Sequence, residues 1–305
     1  MQKIINLDQA VINALEFLSK EKLPKLNLKN FSFPLVVGSG NAYNTAQIIF
    51  SKQKAIIADE SNFREIISRY KELINKKIIK EVIVISASGE KDSVWEIELA
   101  KKNKLKTVLL TCSPNSTAAR LADKVLVYPK TAEPYTYNVS TYLGMILSFT
   151  GEKPESILNF LKKIKLIKKI SDFKSYSFVL PDEFLNVCPM LDIKKSELFG
   201  PLVSIRAFSF GHARHAKFVI RDKNELVMTL GADKNEYFGV PASRIQINLP
   251  QNYNFGLILS VTYYLIGKIQ EIKPAYFKKH IKNYCYDYGP KAYGKKEKFD
   301  IIVSN

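Results

Sequence analysis

The stretch EVIVISASGEKDS, residues 81–93, decides the fold. After its first residue it is apolar, as a buried strand is, and the serine-rich run 86–89 then leads into a polar helix start. A strand that turns at once into a helix leaves the first N–H groups of that helix unpaired, at the positive end of its dipole. With two serine hydroxyls beside them, these groups predict a phosphate-binding turn. A serine cap at Ser88 or Ser93 that only closes a strand–helix unit would explain the same residues.

Similar units precede and follow this stretch. The apolar patterns predict strands at 34–37, 55–58, 81–85, 107–111 and 124–128, and helices at 42–50, 61–74, 95–100, 118–122 and 138–150. Strands that are apolar throughout and alternate with helices predict a parallel sheet covered on both faces, which is a three-layer α/β/α domain. Ligands bind beyond the carboxyl ends of such strands. Both the Gly38-Ser39-Gly40 turn and the turn at 86–89 fall there.

The second half of the chain follows a lysine-rich segment, 151–169, where we predict the boundary between domains 1–165 and 166–305. A helix at 8–22 is expected to lead into the first domain. Further strands are predicted at 177–180, 203–208, 217–220, 226–230 and 244–249, and helices at 183–198 and 255–272. The segments 217–220 and 226–230 are too close for a parallel crossover, so they form a hairpin or the second is not a strand of the same sheet. The second domain is therefore expected to be smaller and irregular.

Composition limits the class of protein. The 305 residues suffice for two domains, and 46% apolar with 25% charged residues indicates a soluble protein without a membrane span or a signal peptide. Cys112, Cys188 and Cys285 are too far apart for a zinc cluster or a disulfide framework, and three histidines exclude a His-rich metal site. The cytoplasm is the expected location. The net charge of +17 attracts anions, but the lysines are not interleaved with aromatic residues as in nucleic-acid sites. The charge alone does not distinguish phosphorylated metabolites from nucleic acid, and most of these lysines are expected to form solvated faces.

The order of strand, Gly-x-Gly turn, helix, strand, helix, strand, Ser-x-Ser-Gly turn and helix resembles a sugar isomerase (SIS) domain. The chain resembles two such domains in tandem, as in the isomerase half of glucosamine-6-phosphate synthase, the fructosamine deglycases and other phosphosugar isomerases. The likeness is carried by residues 85–90 with 99–101, by 132–141 and by 196–215. It implies two three-layer α/β/α domains with mainly parallel sheets, and an enzyme that uses neither a metal nor another cofactor.

The resemblance also implies residues that contact the phosphate and the sugar. The matching positions are Ser39, Asn41, Ser86, Ala87, Ser88, Lys91, Asn138 and Ser140. The chain departs from the family pattern at three points. Ala87 stands where a glutamine is often found, Lys91 replaces a threonine whose hydroxyl meets the phosphate, and Ala42 lacks a phosphate-binding hydroxyl.

The catalytic residues implied by the resemblance lie in the second half. Glu197 matches the carboxylate that moves a proton between C1 and C2 of the open-chain sugar, and His215 matches the histidine that assists ring opening. His212 is the alternative ring-opening group. Lys295 matches a lysine that lies over the sugar, with Lys296 beside it. Because the family supplies the histidine from the neighbouring subunit, a homodimer with a shared active site is implied.

The implied reaction is aldose–ketose isomerisation of a hexose or aminohexose 6-phosphate through an enediol or enolamine intermediate. A phosphosugar deaminase or deglycase would use the same Glu197 and phosphate turn. A non-catalytic phosphosugar-binding module, as in sugar sensors, is the third alternative. Met1-Gln2 leads directly into a helix and not into a nucleophilic cysteine, so synthesis with ammonia would need a separate glutaminase. We expect no DNA-binding helix pair before the first domain.

Overall fold

The computed structural model of the protein describes residues 4–25, 27–164, 170–231, 234–287 and 300–303. The strands are β1 Leu35–Gly38, β2 Ile56–Ala58, β3 Glu81–Ile85, β4 Lys106–Thr111, β5 Lys124–Val127, β6 Glu133–Pro134, β7 Ser175–Leu180, β8 Ser204–Ser209, β9 Glu225–Leu230, β10 Arg244–Ile247 and β11 Ile302–Val303. The helices are α1 Leu7–Leu18, α2 Asn41–Ile49, α3 Phe63–Arg69, α4 Lys71–Asn75, α5 Asp92–Lys102, α6 Thr117–Leu121, α7 Val139–Thr150, α8 Pro154–Leu161, α9 Cys188–Phe199, α10 Phe210–Arg214, α11 Phe255–Ile272, α12 Tyr276–Lys279 and α13 Ile281–Asp287. Among the residues described, no helix is both long enough and apolar enough to cross a membrane.

The described residues cluster into two compact units. One contains those within Lys20–Gly151 and Lys282–Asn305, and we call it the 20–151 unit. The other contains those within Met1–Ser19 and Glu152–Ile281, and we call it the 152–281 unit. Each unit has its own parallel sheet, so the α/β class with parallel sheets is confirmed.

The 20–151 unit is built on a five-stranded sheet with the order β2-β1-β3-β4-β5, and every neighbouring pair is parallel. Residues of β1 and β3 are buried on both faces, as their apolar sequences predict. Helices α3 and α5 pack on one face, where Phe63 and Ile97 join the strand residues Val82 and Val84 in one core cluster. Each such side chain contributes roughly 1.5–3 kcal/mol to folding when it leaves water.

The strand order places a switch point between β1 and β3. The chain leaves β1 through α2 toward β2 on one side, whereas it leaves β3 through α5 toward β4 on the other. Gly38, the last residue of β1, pairs in register with Ile85, the last residue of β3. The two turns that follow these residues therefore flank the crevice where parallel α/β sheets bind ligands.

The 152–281 unit contains a four-stranded sheet with the order β10-β9-β7-β8, again parallel throughout. The hairpin interpretation of the sequence was wrong. β9 lies inside the sheet beside β7, and the long connection 210–224 supplies the crossover from β8. Residues 217–220 are not a strand, because the chain turns at Ala216 (φ 57°) and Phe218 packs inward between Phe208 and Phe238.

Helix α1 packs against α11 and therefore groups with the second half of the chain. The domain boundary predicted between residues 165 and 166 would place α1 in the first domain. Gly267 allows this close approach, since a Cβ there would lie 1.9 Å from the backbone nitrogen of Asp8. The Leu7 N–H donates to the side-chain oxygen of Gln270 at 2.8 Å, and Lys268 pairs with Asp8 at 2.8 Å. These contacts join residues more than 250 positions apart in sequence.

Three predicted segments differ in detail. The helix predicted at 61–74 is two helices, α3 and α4, with Tyr70 between them. The helix predicted at 183–198 begins as a 3₁₀ segment, Asp182–Val187, and becomes α-helical at Cys188, where Pro189 fits the first turn. The segment 151–169, predicted to be a linker, contains helix α8.

Candidate functional site

The turn between β3 and α5 uses its own serine hydroxyls to close. The Gly89 N–H donates to Ser86 Oγ at 3.2 Å, and the Glu90 N–H donates to Ser88 Oγ at 3.3 Å. Both serines are partly buried. Each hydroxyl accepts one bond in this arrangement and keeps its own O–H to donate. The capping explanation and the phosphate-binding explanation are therefore compatible, because a phosphate oxygen can accept the O–H groups that the caps leave over.

The same turn is anchored to the end of β4 through one carbonyl. The Ala87 carbonyl oxygen accepts from the Cys112 N–H at 3.0 Å, from Thr111 Oγ1 at 3.1 Å and from Ser113 Oγ at 3.2 Å. Ala87, where a glutamine was expected from the resemblance, thus holds the turn through its backbone carbonyl. This anchoring gives the two serines a fixed orientation toward the crevice edge of the sheet.

The far side of the turn is fastened to α6. Gly89 has φ +62°, and a Cβ there would lie 2.0 Å from Ser116 Oγ, so only glycine fits. Its carbonyl accepts from the Ala118 N–H at 2.9 Å. The Glu90 carboxylate accepts from the Thr117 N–H at 2.9 Å, at the start of α6. Glu90 is a site-supporting residue that the sequence did not identify.

Lys91 is the residue immediately before α5. It is partly buried and has φ 56°, a left-handed conformation that lysine rarely adopts. Burial lowers the pKa of its ammonium, against an opposing effect of the Asp92 carboxylate. A backbone held in a sparsely populated region at a helix start is common where a loop is shaped for a ligand. The role of Lys91 as a phosphate contact stays a prediction.

The Gly38-Ser39-Gly40 turn after β1 lies next to the turn between β3 and α5. A Cβ on Gly38 would lie 2.9 Å from the Ala42 Cβ and 3.1 Å from the Ile85 carbonyl oxygen, so glycine lets this turn approach β3. The Ala42 N–H donates to the Ser39 carbonyl at 3.0 Å. The Asn41 side chain is buried, and its Oδ1 has no hydrogen-bond partner within the described ranges. A buried polar atom normally has a partner, and the contact between Asn41 and a ligand stays a prediction.

Asn138 and Ser140 start helix α7 in the same unit. Asn138 is in the left-handed region (φ 49°), and Ser140 is fully buried. Ser140 Oγ donates to a Glu133 carboxylate oxygen at 2.7 Å and accepts from the Thr131 N–H at 3.2 Å. Burial raises the pKa of Glu133, while its bonds from Ser140 and the α7 N-terminus oppose the rise. Ser140 is thus engaged in holding Glu133, and its predicted contact with the sugar stays a prediction.

The predicted catalytic carboxylate lies in the 152–281 unit, on the last turns of α9. Glu197 Oε2 accepts from Lys194 Nζ at 2.6 Å, and the Glu197 side chain is 20% exposed. Lys194 is completely buried, with its ammonium 5.9 Å from the centre of the Tyr263 ring on α11. Burial raises the pKa of Glu197, and the Lys194 charge opposes this. The result is a largely buried carboxylate that still reaches the surface and has its counterion fixed.

The two histidines predicted to assist ring opening lie in the same unit and are exposed. His212 lies in α10, and His215 follows its end. Ser209, at the carboxyl end of β8, caps this helix by accepting from the His212 N–H at 3.3 Å. Asp182, after β7, accepts from the Gly211 N–H at 2.6 Å, and its pKa is lowered by this bond and the Ser209 hydroxyl. Lys295 and Lys296 lie outside the described residues.

Beside the histidines is an open, mainly apolar cavity of about 460 Å³. It is lined by Ala213, Arg214, Ala216, Phe218, Val219, Tyr237 and Phe238. Val219 and the adjacent Ile220 are 73% and 84% exposed, which is unusual for β-branched apolar side chains. We call Val219, Ile220 and Tyr237 the apolar patch.

Residues 35–151 match the SIS domain family model. This SIS segment begins at β1 and ends just after α7, so it contains both turns at the switch point. No curated protein sequence is significantly similar to the chain.

Solved structures share the fold well beyond the SIS segment. A glucosamine-6-phosphate deaminase from Thermotoga maritima has a TM-score of 0.57 at 17% identity, covering 87% of this chain and 93% of that one. The C-terminal domain of glucosamine-fructose-6-phosphate aminotransferase from Francisella tularensis gives 0.54 at 13%, with 87% and 93% covered. Tagatose-6-phosphate ketose/aldose isomerase from Escherichia coli gives 0.52 at 15%, with 90% and 88% covered. At these identities the likeness establishes the fold alone.

The structure therefore groups the predicted site residues by unit. Ser39, Asn41, Ser86, Ala87, Ser88 and Lys91 lie along the switch-point edge of the SIS segment, and Asn138 and Ser140 lie at the start of α7. Glu197, His212 and His215 belong to the 152–281 unit. Lys194 is the main residue that sequence reasoning missed, although its spacing of three from Glu197 on a helix was a readable signal.

Proposed function

We propose that the protein is a cytoplasmic phosphosugar isomerase that interconverts the aldose and ketose forms of a hexose or aminohexose 6-phosphate. The observation that carries this proposal is the Lys194–Glu197 pair, because a solvated surface glutamate would not be fastened to a fully buried ammonium. The SIS segment with its serine turn supports the phosphosugar class of substrate. The chemistry needs a base, a ring-opening group and a firm hold on the phosphate.

In this proposal Glu197 removes a proton from C1 or C2 of the open-chain sugar and returns it to the other of these two carbons. A carboxylate is a weak base in water, so burial, which raises its pKa toward neutrality, improves it for the task. The Lys194 charge opposes this rise. His215, or His212 in its place, assists ring opening, and Lys295 lies over the sugar.

The phosphate is proposed to bind at the Ser86–Ser88 turn, where the N-terminus of α5 adds the positive end of a dipole. Ser86, Ser88 and the turn backbone supply donors, and Lys91 supplies charge where the family has a hydroxyl. Asn41 and Ser39 face the same crevice from the neighbouring turn, and Asn138 and Ser140 complete the sugar-contacting set.

Proton exchange tests the isomerase proposal directly. The full chain is incubated in heavy water with fructose 6-phosphate or glucosamine 6-phosphate, and deuterium at C1 or C2 is followed by NMR. We expect incorporation with at least one of them and none with unphosphorylated fructose, which lacks the group held by the serine turn. Binding without exchange for a panel of hexose phosphates would contradict the isomerase proposal.

That contrary result would favour the second candidate, a non-catalytic phosphosugar-binding module. Ala42, which lacks the family hydroxyl, and Lys91 are the observations that favour it. A deaminase or deglycase is distinguished by release of an amine from an amine-bearing substrate. Synthesis of an aminosugar would need ammonia, free or from a separate glutaminase.

We further propose a homodimer whose subunits share the active site. The apolar patch supports this, because Val219 and Ile220 are exposed four and five residues after the exposed His215, and Tyr237 lines the same cavity as Val219. A second copy that covers the patch would also receive the histidine.

Introducing charge into this surface is expected to separate the subunits. In the double variant Val219→Asp/Ile220→Asp, two carboxylates would have to be buried without partners, so the mass in solution should halve in light scattering. Leu202→Asp is the matched control, since Leu202 is also exposed (56%) but lies away from the patch. A wild-type protein that is monomeric at micromolar concentration would refute the dimer.

A further inference from the structure

Glu96 is a buried carboxyl at the base of the phosphate turn. It lies on α5 one turn after Asp92, and its residue exposure is 1%. Its Oε1 has no hydrogen-bond partner among the residues that the structure describes. An ionised carboxylate in such a place would be strongly destabilising, because it would have lost water without gaining a partner.

The groups around Glu96 make ionisation harder still. Asp92 is on the same helix, and Asp59 and Glu60 come from the turn after β2. Glu60 Oε2 is likewise buried without a partner in the described part of the chain. Burial, which is the largest cause, and these three carboxylates together raise the pKa of Glu96 to about 8.

Among the described residues, the charged groups that shift the pKa of Glu96 are all acidic. On α3, the Arg64 guanidinium lies 4.3 Å from the centre of the Trp95 ring. On α6, Arg120 bonds to the Asn115 carbonyl and Thr117 Oγ1. The charged residues of β3 and β4, Glu81 and Lys106, begin those strands and so lie at the edge of the sheet opposite the turn. Within the described ranges, no group of acidic, His or Cys side chains is arranged to hold a metal ion.

The distance to the phosphate turn is short. At 1.5 Å per residue, Glu96 lies about 6 Å along the helix axis from the first residue of α5. A negative charge there acts against a phosphate held at that helix N-terminus, and it also cancels part of the favourable dipole. Two charges about 8 Å apart at an effective dielectric constant of about 20 interact strongly enough to change an affinity by at least tenfold.

We propose that Glu96 binds a proton whenever the turn holds a phosphate group, and that its ionisation expels the phosphate. Ligand binding would then be controlled by pH through a group that does not touch the ligand. This inference rests on the proposed phosphosugar site but not on the proposed isomerase reaction.

The direction of the effect follows from proton linkage. The folded protein keeps a proton on Glu96 between the ordinary carboxyl pKa of 4.5 and about 8, whereas the unfolded chain has lost it. Stability therefore falls as pH rises through this window and levels off above it. Phosphate affinity should instead stay high up to about pH 7 and fall as Glu96 ionises near pH 8.

The test compares Glu96→Gln, an isosteric neutral mimic, with Glu98→Gln, a matched change at an exposed position of the same helix. Binding of fructose 6-phosphate to the full chain is measured by calorimetry from pH 6.5 to 9.0. We expect wild type and Glu98→Gln to lose at least about tenfold in affinity over this range. Glu96→Gln should lose less than about twofold over the same range, because it has no charge to gain at this position.

Equal pH slopes for Glu96→Gln and wild type would overturn the inference, as would the absence of phosphosugar binding at every pH. If Glu96→Gln does not fold, Glu60→Gln replaces it. Removing that neighbouring charge should move the midpoint of the affinity loss to lower pH, and an unmoved midpoint would count against the inference. Binding that follows the expected pH dependence without any proton exchange would reject only the isomerase proposal.

Discussion

Replacing Glu197 with glutamine is expected to reduce C1/C2 proton exchange by about a thousandfold, the usual scale for loss of a general base. Glutamine has nearly the same shape but cannot accept the proton at neutral pH. Binding of fructose 6-phosphate should change much less, because the serine turn belongs to the other compact unit. The measurement is deuterium incorporation per enzyme, with binding measured in parallel by calorimetry.

Two further variants separate a lost base from a damaged fold. Glu197→Gln leaves the buried Lys194 ammonium without this carboxylate, and breaking a buried pair costs about 3–5 kcal/mol. Lys194→Met/Glu197→Gln removes both charges and should recover much of that stability without recovering exchange. Asp192→Asn, an exposed change on the same helix, should keep full exchange. Exchange that survives in a folded Glu197→Gln variant would assign the base elsewhere.

The fold of the SIS segment could be read from the sequence because its signals are local. Each strand of the five-stranded sheet is a short apolar run, and β1 to β4 are each followed by a helix within a few residues. The turn at 86–89 was identified from the change of pattern at one point. A parallel sheet with short connections needs little further information.

The rest of the fold depends on contacts between residues that are distant in sequence. Nothing in residues 8–22 indicates that α1 packs on α11, since the decisive feature is Gly267 at the point of closest approach. The apolar run 217–220 has the composition of a strand, yet Phe218 is more stable in an aromatic cluster than in an edge strand. In both cases tertiary packing outweighed the local preference.

The site residues also divide into those that local sequence indicates and those that depend on tertiary packing. Glu197 was identified through a resemblance, whereas the complete burial of Lys194 and its 2.6 Å contact with Glu197 became visible only in the structure. Glu96 resembled an ordinary helix glutamate in the sequence. Its importance arises from Glu60 and Asp59, which lie in the turn after β2 and are brought near it by the fold.

Gly89→Ala is expected to have the second large effect, on the phosphate turn itself. A left-handed backbone costs alanine about 1 kcal/mol. The new Cβ would also lie 2.0 Å from Ser116 Oγ and 2.6 Å from Ser116 Cβ, so rotation of the hydroxyl cannot remove the clash. The combined cost is about 3–4 kcal/mol of unfolding free energy, and fructose 6-phosphate should bind at least about tenfold more weakly.

Gly151→Ala is the matched control for this prediction. Gly151 has a similar φ of +72° and ends α7, but nothing lies within 4 Å of the position of its Cβ. It should lose only the backbone cost of about 1 kcal/mol and keep full binding. The difference between the two variants therefore measures the clash alone.

The clash can also be relieved by shortening the Ser116 side chain. Ser116→Gly removes both atoms that the alanine would meet, at the cost of about a few tenths of a kcal/mol for the lost cap on α6. If the Ser116 contact is what holds the turn in shape, Gly89→Ala/Ser116→Gly will be more stable than Gly89→Ala and will bind fructose 6-phosphate better. Additive losses in this double-mutant cycle would show that the left-handed backbone of residue 89, and not its packing on α6, shapes the phosphate site.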